Sequence, residues 1–306
     1  MGTPEFAVPI LREVAAACDL RLVITQPDKP AGRGRRLEPP PAKTAALGLG
    51  VEVLQPETMR GEGARERLAA LDLDVVVTAA YGRILGRRLL ALPRLGCLNV
   101  HASLLPAYRG AAPIARAILS GARETGVSIM RMEAGLDTGP VYRAARIAIG
   151  DDETAGELTG RLSLLGARLI GEALAEMSAG ATPVPAPQDG ALATFAPPLE
   201  KREGRIDWGR TAREIHAHVR GMHPWPCAAF AFDGQDVRVH RAAVLEGACA
   251  AGAVPGTVLE HSRLGVDVAC GAGAVRLVEL QMPGKKRLDA ASFRAGFRFE
   301  PGARLA

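Results

Sequence analysis

Apolar positions alternate between two patterns in the first part of the chain. Over 6–17, Phe6, Ile10, Leu11 and Val14 recur at helical spacing, and over 154–178 so do Leu158, Leu162, Leu165, Leu169 and Ala173. Residues 65–71 are also expected to be helical, as is 112–119. Between these lie short apolar runs. One covers 21–25, and the continuous DVVVTAA run at 74–80 has the character of a parallel strand buried on both faces. Runs at 95–101 and 127–132 complete the set. Strand and helix in alternation predict an open, mostly parallel α/β sheet.

The pattern changes after 180. Residues 181–200 hold Pro183, Pro185, Pro187, Pro197 and Pro198 with few apolar anchors, which predicts an extended linker. Beyond it one helix is expected at 211–220. Short β runs follow at 228–232, 237–243, 256–259, 266–269 and 275–279. A small β-barrel is the natural expectation. The expected organisation is a catalytic domain at 1–180, a linker at 181–200 and a second domain at 201–306. No internal repeat is visible. A βαβ sheet opens with a strand, yet only Met1 precedes the Gly2-Thr3-Pro4 turn into the first helix. The expectation is that the first strand is missing and that the natural chain begins about five to ten residues upstream.

Composition narrows the class. Hydrophobic residues make up 48% and charged residues 23% of the 306, as in ordinary globular proteins. No apolar run reaches the roughly 18 residues that span a bilayer, and MGTPEFAVPI has no basic region followed by an apolar stretch, so no membrane or secretory segment is expected. Five cysteines without a CxxC pair argue against a disulfide framework or a zinc site and for a reducing cytoplasm. The net charge of +5 sits entirely in residues 201–306, which hold 16 basic and 11 acidic side chains. A basic domain on a neutral one points to a polyanionic partner, most commonly nucleic acid. The Pro-rich loop at 27–43 adds Lys29, Arg33, Arg35, Arg36 and Lys43, set against Asp28 and Glu38. Two readings stand: a solvated connection, or a flexible basic arm that grips phosphates.

Candidate chemistry lies at two strand ends. Asn99 and His101 alternate along 95–101 and so face the same way. They end a strand expected to be parallel, where open α/β sheets bind ligands. Asn can donate to a developing oxyanion, and His titrates near neutral pH. Asp137, between Gly135 and Gly139, is placed by its glycines in a tight turn at the same edge, where its carboxylate could hold His101 charged; a Gly-flanked Asp is also a common turn former. His216, His218 and His223 are close in sequence, but spacing of two on a helix splays the first pair, so no metal is expected. Trp208 and Trp225 are expected as packing anchors, Cys97 as core. Tyr108 fits either substrate or core.

The run Asn99-Val100-His101-Ala102-Ser103-Leu104-Leu105-Pro106, continued by Tyr108-Arg109-Gly110-Ala111-Ala112-Pro113-Ile114 and later by Gly135-Leu136-Asp137-Thr138-Gly139, resembles the folate-dependent formyltransferases. Gly2-Thr3-Pro4-Glu5-Phe6-Ala7, the loop from Gln26 to Gly34, Arg205-Ile206-Asp207-Trp208, His223-Pro224-Trp225-Pro226 and Pro283-Gly284-Lys285-Lys286 extend the resemblance over the whole chain, toward members that act on an aminoacylated tRNA. The resemblance implies a Rossmann-like first domain, an OB-like β-barrel second domain that helps hold tRNA, and catalysis by Asn99, His101 and Asp137. It implies 10-formyltetrahydrofolate as formyl donor, held around Tyr81, Gly82, Arg83, Ile84 and Leu85, by Ser103, Leu104, Leu105 and Pro106, and by the Asp137 turn. The implied acceptor is the α-amine of an initiator methionyl-tRNA, contacted by Lys29, Arg33, Arg35, Arg36, Lys43, Lys285 and Lys286. Asn99 and protonated His101 would stabilise a tetrahedral intermediate, and neither a metal nor a nucleophilic side chain is needed. Nothing demands more than a monomer. The rivals are a formyltransferase acting on a small amine, and a tRNA-binding protein without catalysis.

Overall fold

The computed structural model describes residues 1–31, 36–59, 62–181, 184–245 and 252–306. It divides into two units. The first comprises Met1–Pro113, Glu124–Ile147 and Thr159–Pro197; the second comprises Ile114–Arg123, Ala148–Leu158 and Pro198–Ala306.

In chain order the first half contains α1 (Ala7–Ala17), β1 (Val23–Ile24), β2 (Lys29–Ala31), β3 (Arg36–Glu38), α2 (Pro41–Gly48), β4 (Val53–Leu54), α3 (Glu62–Ala69), β5 (Val76–Thr78), α4 (Arg87–Leu90) and β6 (Cys97–His101). There follow β7 (Arg109–Gly110), α5 (Pro113–Leu119), β8 (Glu124–Arg131), β9 (Val141–Ala148), α6 (Ala155–Ser178) and β10 (Phe195–Ala196). β1 pairs with β4 and β5 with β6, both in parallel. β8 runs antiparallel to β6, and β9 lies beside β8. The connection 102–123 therefore ends at the edge where β6 ends, and the chain runs back. Leu98, Val100, Val127 and Ile129 are fully buried on these strands, which is why the apolar runs are continuous rather than alternating. α6 lies close on the sheet: a Cβ at Gly166 would stand 2.7 Å from Val100, closer than real carbon contacts, so glycine is what permits the approach. Ser163 Oγ donates to the Phe6 carbonyl at 2.9 Å and ties α6 to the start of α1.

Between β1 and β5 the sheet is interrupted. Gly2 N donates to Ile24 O (3.0 Å) and Ala79 N to Met1 O (2.9 Å), so Met1 and Gly2 join the two strands at one end. The rest of the gap is a cavity of about 250 Å³ lined by Ile10, Val14, Val23, Ile24, Val76 and Val77 among others.

The second unit is built on α7 (Ala212–Gly221), β11 (Ala228–Phe232), β12 (Gln235–Leu245), β13 (Val258–His261), β14 (Val266–Ala269), β15 (Ala274–Gln281), β16 (Leu288–Asp289) and α8 (Ala290–Gly296). Its strands form a six-stranded antiparallel sheet in the order β11-β12-β15-β14-β13, with β16 beside β15, the β domain that the short runs predict. Phe230, Phe293, Phe299, Ile215 and Leu277 fill its core. Trp208 is part of that core, but Trp225 is 58% exposed and is not the packing anchor expected of it.

A capping box precedes α6. Thr154 donates through N (2.9 Å) and Oγ1 (2.8 Å) to Glu157 Oε2, and Arg241 reaches Oε1. The Thr154 bonds, with Arg241, hold the Glu157 carboxyl down from 4.5 to about 2. A lowered carboxyl pKa stabilises the fold above the unfolded value and ceases to as pH falls through the folded one. Wild-type Tm is thus expected to fall more steeply than that of Glu157→Gln between pH 4.5 and about 2, measured by thermal melts. Parallel curves would remove the box from the stability of this unit.

Candidate active site

The site is assembled at the C-terminal ends of β5 and β6 and in the turn after β8. Thr78 ends β5, and Asn99 lies opposite it across the parallel pair. The buried Thr78 hydroxyl approaches Asn99 Oδ1 at 2.9 Å and the Leu98 carbonyl at 3.1 Å. With its oxygen met by Thr78, Asn99 presents its amide N–H groups as donors. Two residues further on, His101 is 5% exposed. Its Nε2 is 3.0 Å from the Tyr108 carbonyl, and its Nδ1 is 3.7 Å from Asp137 Oδ2. Both ring nitrogens therefore face oxygen acceptors. Tyr108 turns the chain with φ +58°, and Gly110 N then donates to Asp137 Oδ2 at 2.8 Å.

Asp137 itself has φ +51°, a left-handed conformation that short polar side chains tolerate better than others. The turn is pressed on the sheet: a Cβ at Gly139 would lie 1.8 Å from the Arg131 carbonyl oxygen. So the structure brings Asp137 beside His101, two residues beyond Asn99 on β6, although β8 runs antiparallel and its end pairs near the start of β6. It adds Thr78, which the sequence pattern does not single out; a lone hydroxyl at the end of an apolar strand is the only signal it offers. Thr78→Val is expected to lower kcat about three- to tenfold, the value of one well-placed hydrogen bond, with KM changed little. An unchanged kcat would mean Asn99 is held by the sheet alone.

The other named residues fall into distinct settings. Gly82, Arg83 and Ile84 are exposed, Ile84 to 80%. Tyr81 and Leu85 are buried in the core beside β5, and the Tyr81 carbonyl accepts from Gln26 Nε2 at 2.8 Å. Ser103 is fully buried; its hydroxyl donates to Ala107 O at 2.6 Å and its carbonyl accepts from Ser128 Oγ at 2.8 Å. Leu104, Leu105 and Pro106 are half-buried. Cys97 lies in the core, where burial pushes its thiol up to about 11.

Within the basic loop, β2 pairs antiparallel with β3 as the two arms of a hairpin. Lys29 and Arg36 are exposed on it, while Arg33 and Arg35 lie outside the described residues. Lys43, on α2, is turned inward: its Nζ donates to Asp28 Oδ1 (2.9 Å) and Oδ2 (2.8 Å), and Gln55 Nε2 adds a third bond to that carboxylate at 2.7 Å. Lys43 and Gln55 hold the Asp28 carboxyl below its usual range. In the second unit Lys285 and Lys286 are exposed in the turn before β16. His218 Nε2 meets the Glu203 carbonyl at 2.7 Å and His223 lies edge-on to His240, so these rings have separate partners. No described helix is long and apolar enough to cross a membrane.

The Pro-rich stretch is docked as far as the structure describes it. Val141 and Ala186 exchange both backbone hydrogen bonds at 2.8 Å, Tyr108 N donates to Thr194 Oγ1 at 2.8 Å, and β10 pairs in parallel with β7.

The site thus offers amide donors, an imidazole and a carboxylate. Residues 4–174 match the formyl transferase family, and residues 198–298 match the formyl transferase C-terminal domain. The chain belongs to the formyl transferase family and is a formyl-transfer enzyme. It is 48% identical over 303 residues to methionyl-tRNA formyltransferase of Xanthomonas axonopodis pv. citri (strain 306), covering 99% of this chain and 98% of that one. It is 49% identical over 301 residues to the protein of that name from Sorangium cellulosum (strain So ce56), covering 98% and 96%. In fold it is similar to an N-formyltransferase from Helicobacter canadensis solved with folinic acid and dTDP-3-aminofucose: TM-score 0.68 at 16% identity, over 92% of this chain and 97% of that one.

Proposed function

We propose that this chain transfers the formyl group of 10-formyltetrahydrofolate to the α-amine of initiator methionyl-tRNA, acting as a cytoplasmic monomer in translation initiation. The near full-length match to proteins named methionyl-tRNA formyltransferase carries this reading. The described cysteines, Cys18, Cys97, Cys227 and Cys270, are free thiols, which suits a reducing compartment.

The folate supplies a formyl group activated by its bond to N10. Exposed Gly82, Arg83 and Ile84, with half-buried Leu104, Leu105 and Pro106, hold it; large exposed apolar side chains, Ile84 and the 60% exposed Leu136, suit a flat heterocycle. Tyr81, Leu85 and Ser103 brace these segments from within. Asn99 Nδ2 donates to the formyl oxygen as negative charge develops there. His101, held between the Tyr108 carbonyl and Asp137, stabilises the same charge, because preorganised groups in a desolvated site act most strongly where charge appears. At 3.7 Å, His101 Nδ1 and Asp137 Oδ2 face each other beyond direct hydrogen-bond distance. His101, with Asp137 beside it, relays a single proton: the one the attacking amine loses is the one the leaving nitrogen gains, so the ring ends as it began.

The direct test is formyl transfer from 10-formyltetrahydrofolate to charged initiator tRNA, with free methionine, glycinamide ribonucleotide and an amino sugar nucleotide as alternative acceptors. Turnover on the tRNA alone is the expected result. Preference for a small amine would transfer the assignment to another formyltransferase, and no turnover on any acceptor would leave only binding.

A further inference from the structure

Gln188 lies in the Pro-rich stretch between Pro187 and Asp189, outside any helix or strand. Its side-chain amide nevertheless makes four hydrogen bonds, all to segments of the site. Oε1 accepts from Arg109 Nε at 3.1 Å and Nη2 at 2.7 Å. Nε2 donates to the Asp137 carbonyl at 2.9 Å and the Gly139 carbonyl at 2.7 Å. Two donors thus meet the oxygen and two acceptors meet the nitrogen. A primary amide satisfies both, and the partners fix which end is which. Asn would fall one methylene short. Arg109 is a buried cation, 7% exposed, so an acceptor at its guanidinium matters.

The held groups are the ones that place the carboxylate. Asp137 has the left-handed backbone, and its Oδ2 both accepts from Gly110 N and faces His101. Gly110 follows Arg109 directly. The loop after β6 and the turn after β8 are therefore joined twice, once through Gly110 N and Asp137 Oδ2 and once through the Gln188 amide. β10 pairing with β7 keeps the stretch that carries Gln188 against the same loop.

We propose that Gln188 is a positioning residue for formyl transfer: it locks the Asp137 turn to the Arg109 segment and so fixes the Asp137 carboxylate against His101. It acts through Asp137 and not on the reacting atoms, and the proposal rests on the formyl-transfer reading above.

Gln188→Glu and Gln188→Leu in the full chain test it. Glu keeps an acceptor for Arg109, and gains charge complementarity there, but sets a carboxylate oxygen against two carbonyls. A residue needed only to satisfy Arg109 tolerates Glu; one needed to hold Asp137 does not. Both variants are expected to lose about tenfold or more in kcat, with KM for tRNA and formyl donor within about threefold, as for a misplaced catalytic group. Hydrogen exchange is expected to accelerate in peptides covering 104–112 and 133–141 and nowhere else. Asp189→Ala, which removes the bond from Ala191 N to Asp189 Oδ1 but leaves the amide, is expected to keep wild-type kcat. Wild-type kcat in Gln188→Glu overturns the proposal, and so does a loss of kcat without faster exchange in those two peptides. Should the wild-type chain fail to formylate tRNA, the functional reading falls, while the exchange data still decide whether Gln188 clamps the turn.

Discussion

His101→Ala and Asp137→Ala are each expected to lower kcat for tRNA formylation by about 10²–10⁴, the usual worth of a positioned acid–base group. Affinity for tRNA is expected to stay within about twofold, because neither residue lies on the hairpin or in the basic turn proposed to meet phosphates. The two variants differ in what they leave behind. Without His101, the Tyr108 carbonyl and Asp137 face a vacancy of imidazole size, and no proton carrier remains between them. Asp137→Ala removes the acceptor of the Gly110 N–H at 2.8 Å as well as the partner of His101, so it also loosens the loop. Asp137→Asn separates these effects. It keeps an oxygen for Gly110 N and loses the charge, so it is expected to rescue the loop but not kcat. Asn99→Ala is the third arm: loss of one oxyanion donor costs about 10²–10³ in kcat. Steady-state kinetics on charged tRNA with a filter-binding Kd decide these outcomes. Near-normal kcat in His101→Ala would remove the proton shuttle from the mechanism.

How much of the site is legible in the sequence follows from what each contact depends on. Asn99 and His101 are two apart on one strand, and strand alternation alone puts them on one face. Asp137 sits between glycines, and a turn there needs only local reasoning. Thr78 and Gln188 depend on pairing: Thr78 meets Asn99 through the register of β5 against β6, and no local pattern encodes that register. Gln188 is a lone amide in a run of prolines, and its four bonds arise from where the stretch docks. The direction of β8 is equally hidden. Its six inner residues are buried on both faces, so its pattern reads the same whichever way it runs. β9 escapes the apolar pattern because Arg143 and Arg146 interrupt its apolar residues, although exposure alternates over its second half as a half-buried strand should. α2 merges with the Pro-rich loop in composition, yet Pro41 occupies the first turn of the helix, where proline starts helices and does not break them. Trp225 shows the opposite error, a large aromatic counted as core by type and left exposed by its position in the loop before β11.

Neutralising Lys29, Arg33 and Arg36 together is expected to reduce the slope of log affinity for tRNA against log salt by about 2.1–2.7, at 0.7–0.9 for each phosphate no longer neutralised. With the intercept near 1 M unchanged, that slope corresponds to a loss on the order of a hundredfold in affinity at about 0.15 M salt. KM for the formyl donor is expected to stay unchanged. The hairpin gives the prediction its form. Lys29 and Arg36 stand exposed on its two arms, and neither has a carboxylate within ion-pair distance among the described residues. Lys43 belongs to the same stretch of sequence but serves as the control. Its ammonium is bound to both oxygens of Asp28, in a cluster completed by Gln55. Lys43→Ala therefore strips a partly buried carboxylate of its cation and is expected to lower Tm while leaving the salt slope nearly as it was. Counting charges along the chain treats these residues as equivalent, whereas the pairing of Asp28 divides them into a gripping set and a bracing one. Titrations at four or five salt concentrations, with melts of each variant, distinguish the two. A slope that drops as much for Lys43→Ala as for a single hairpin variant, with Tm unchanged, would place Lys43 on the tRNA and dissolve the division.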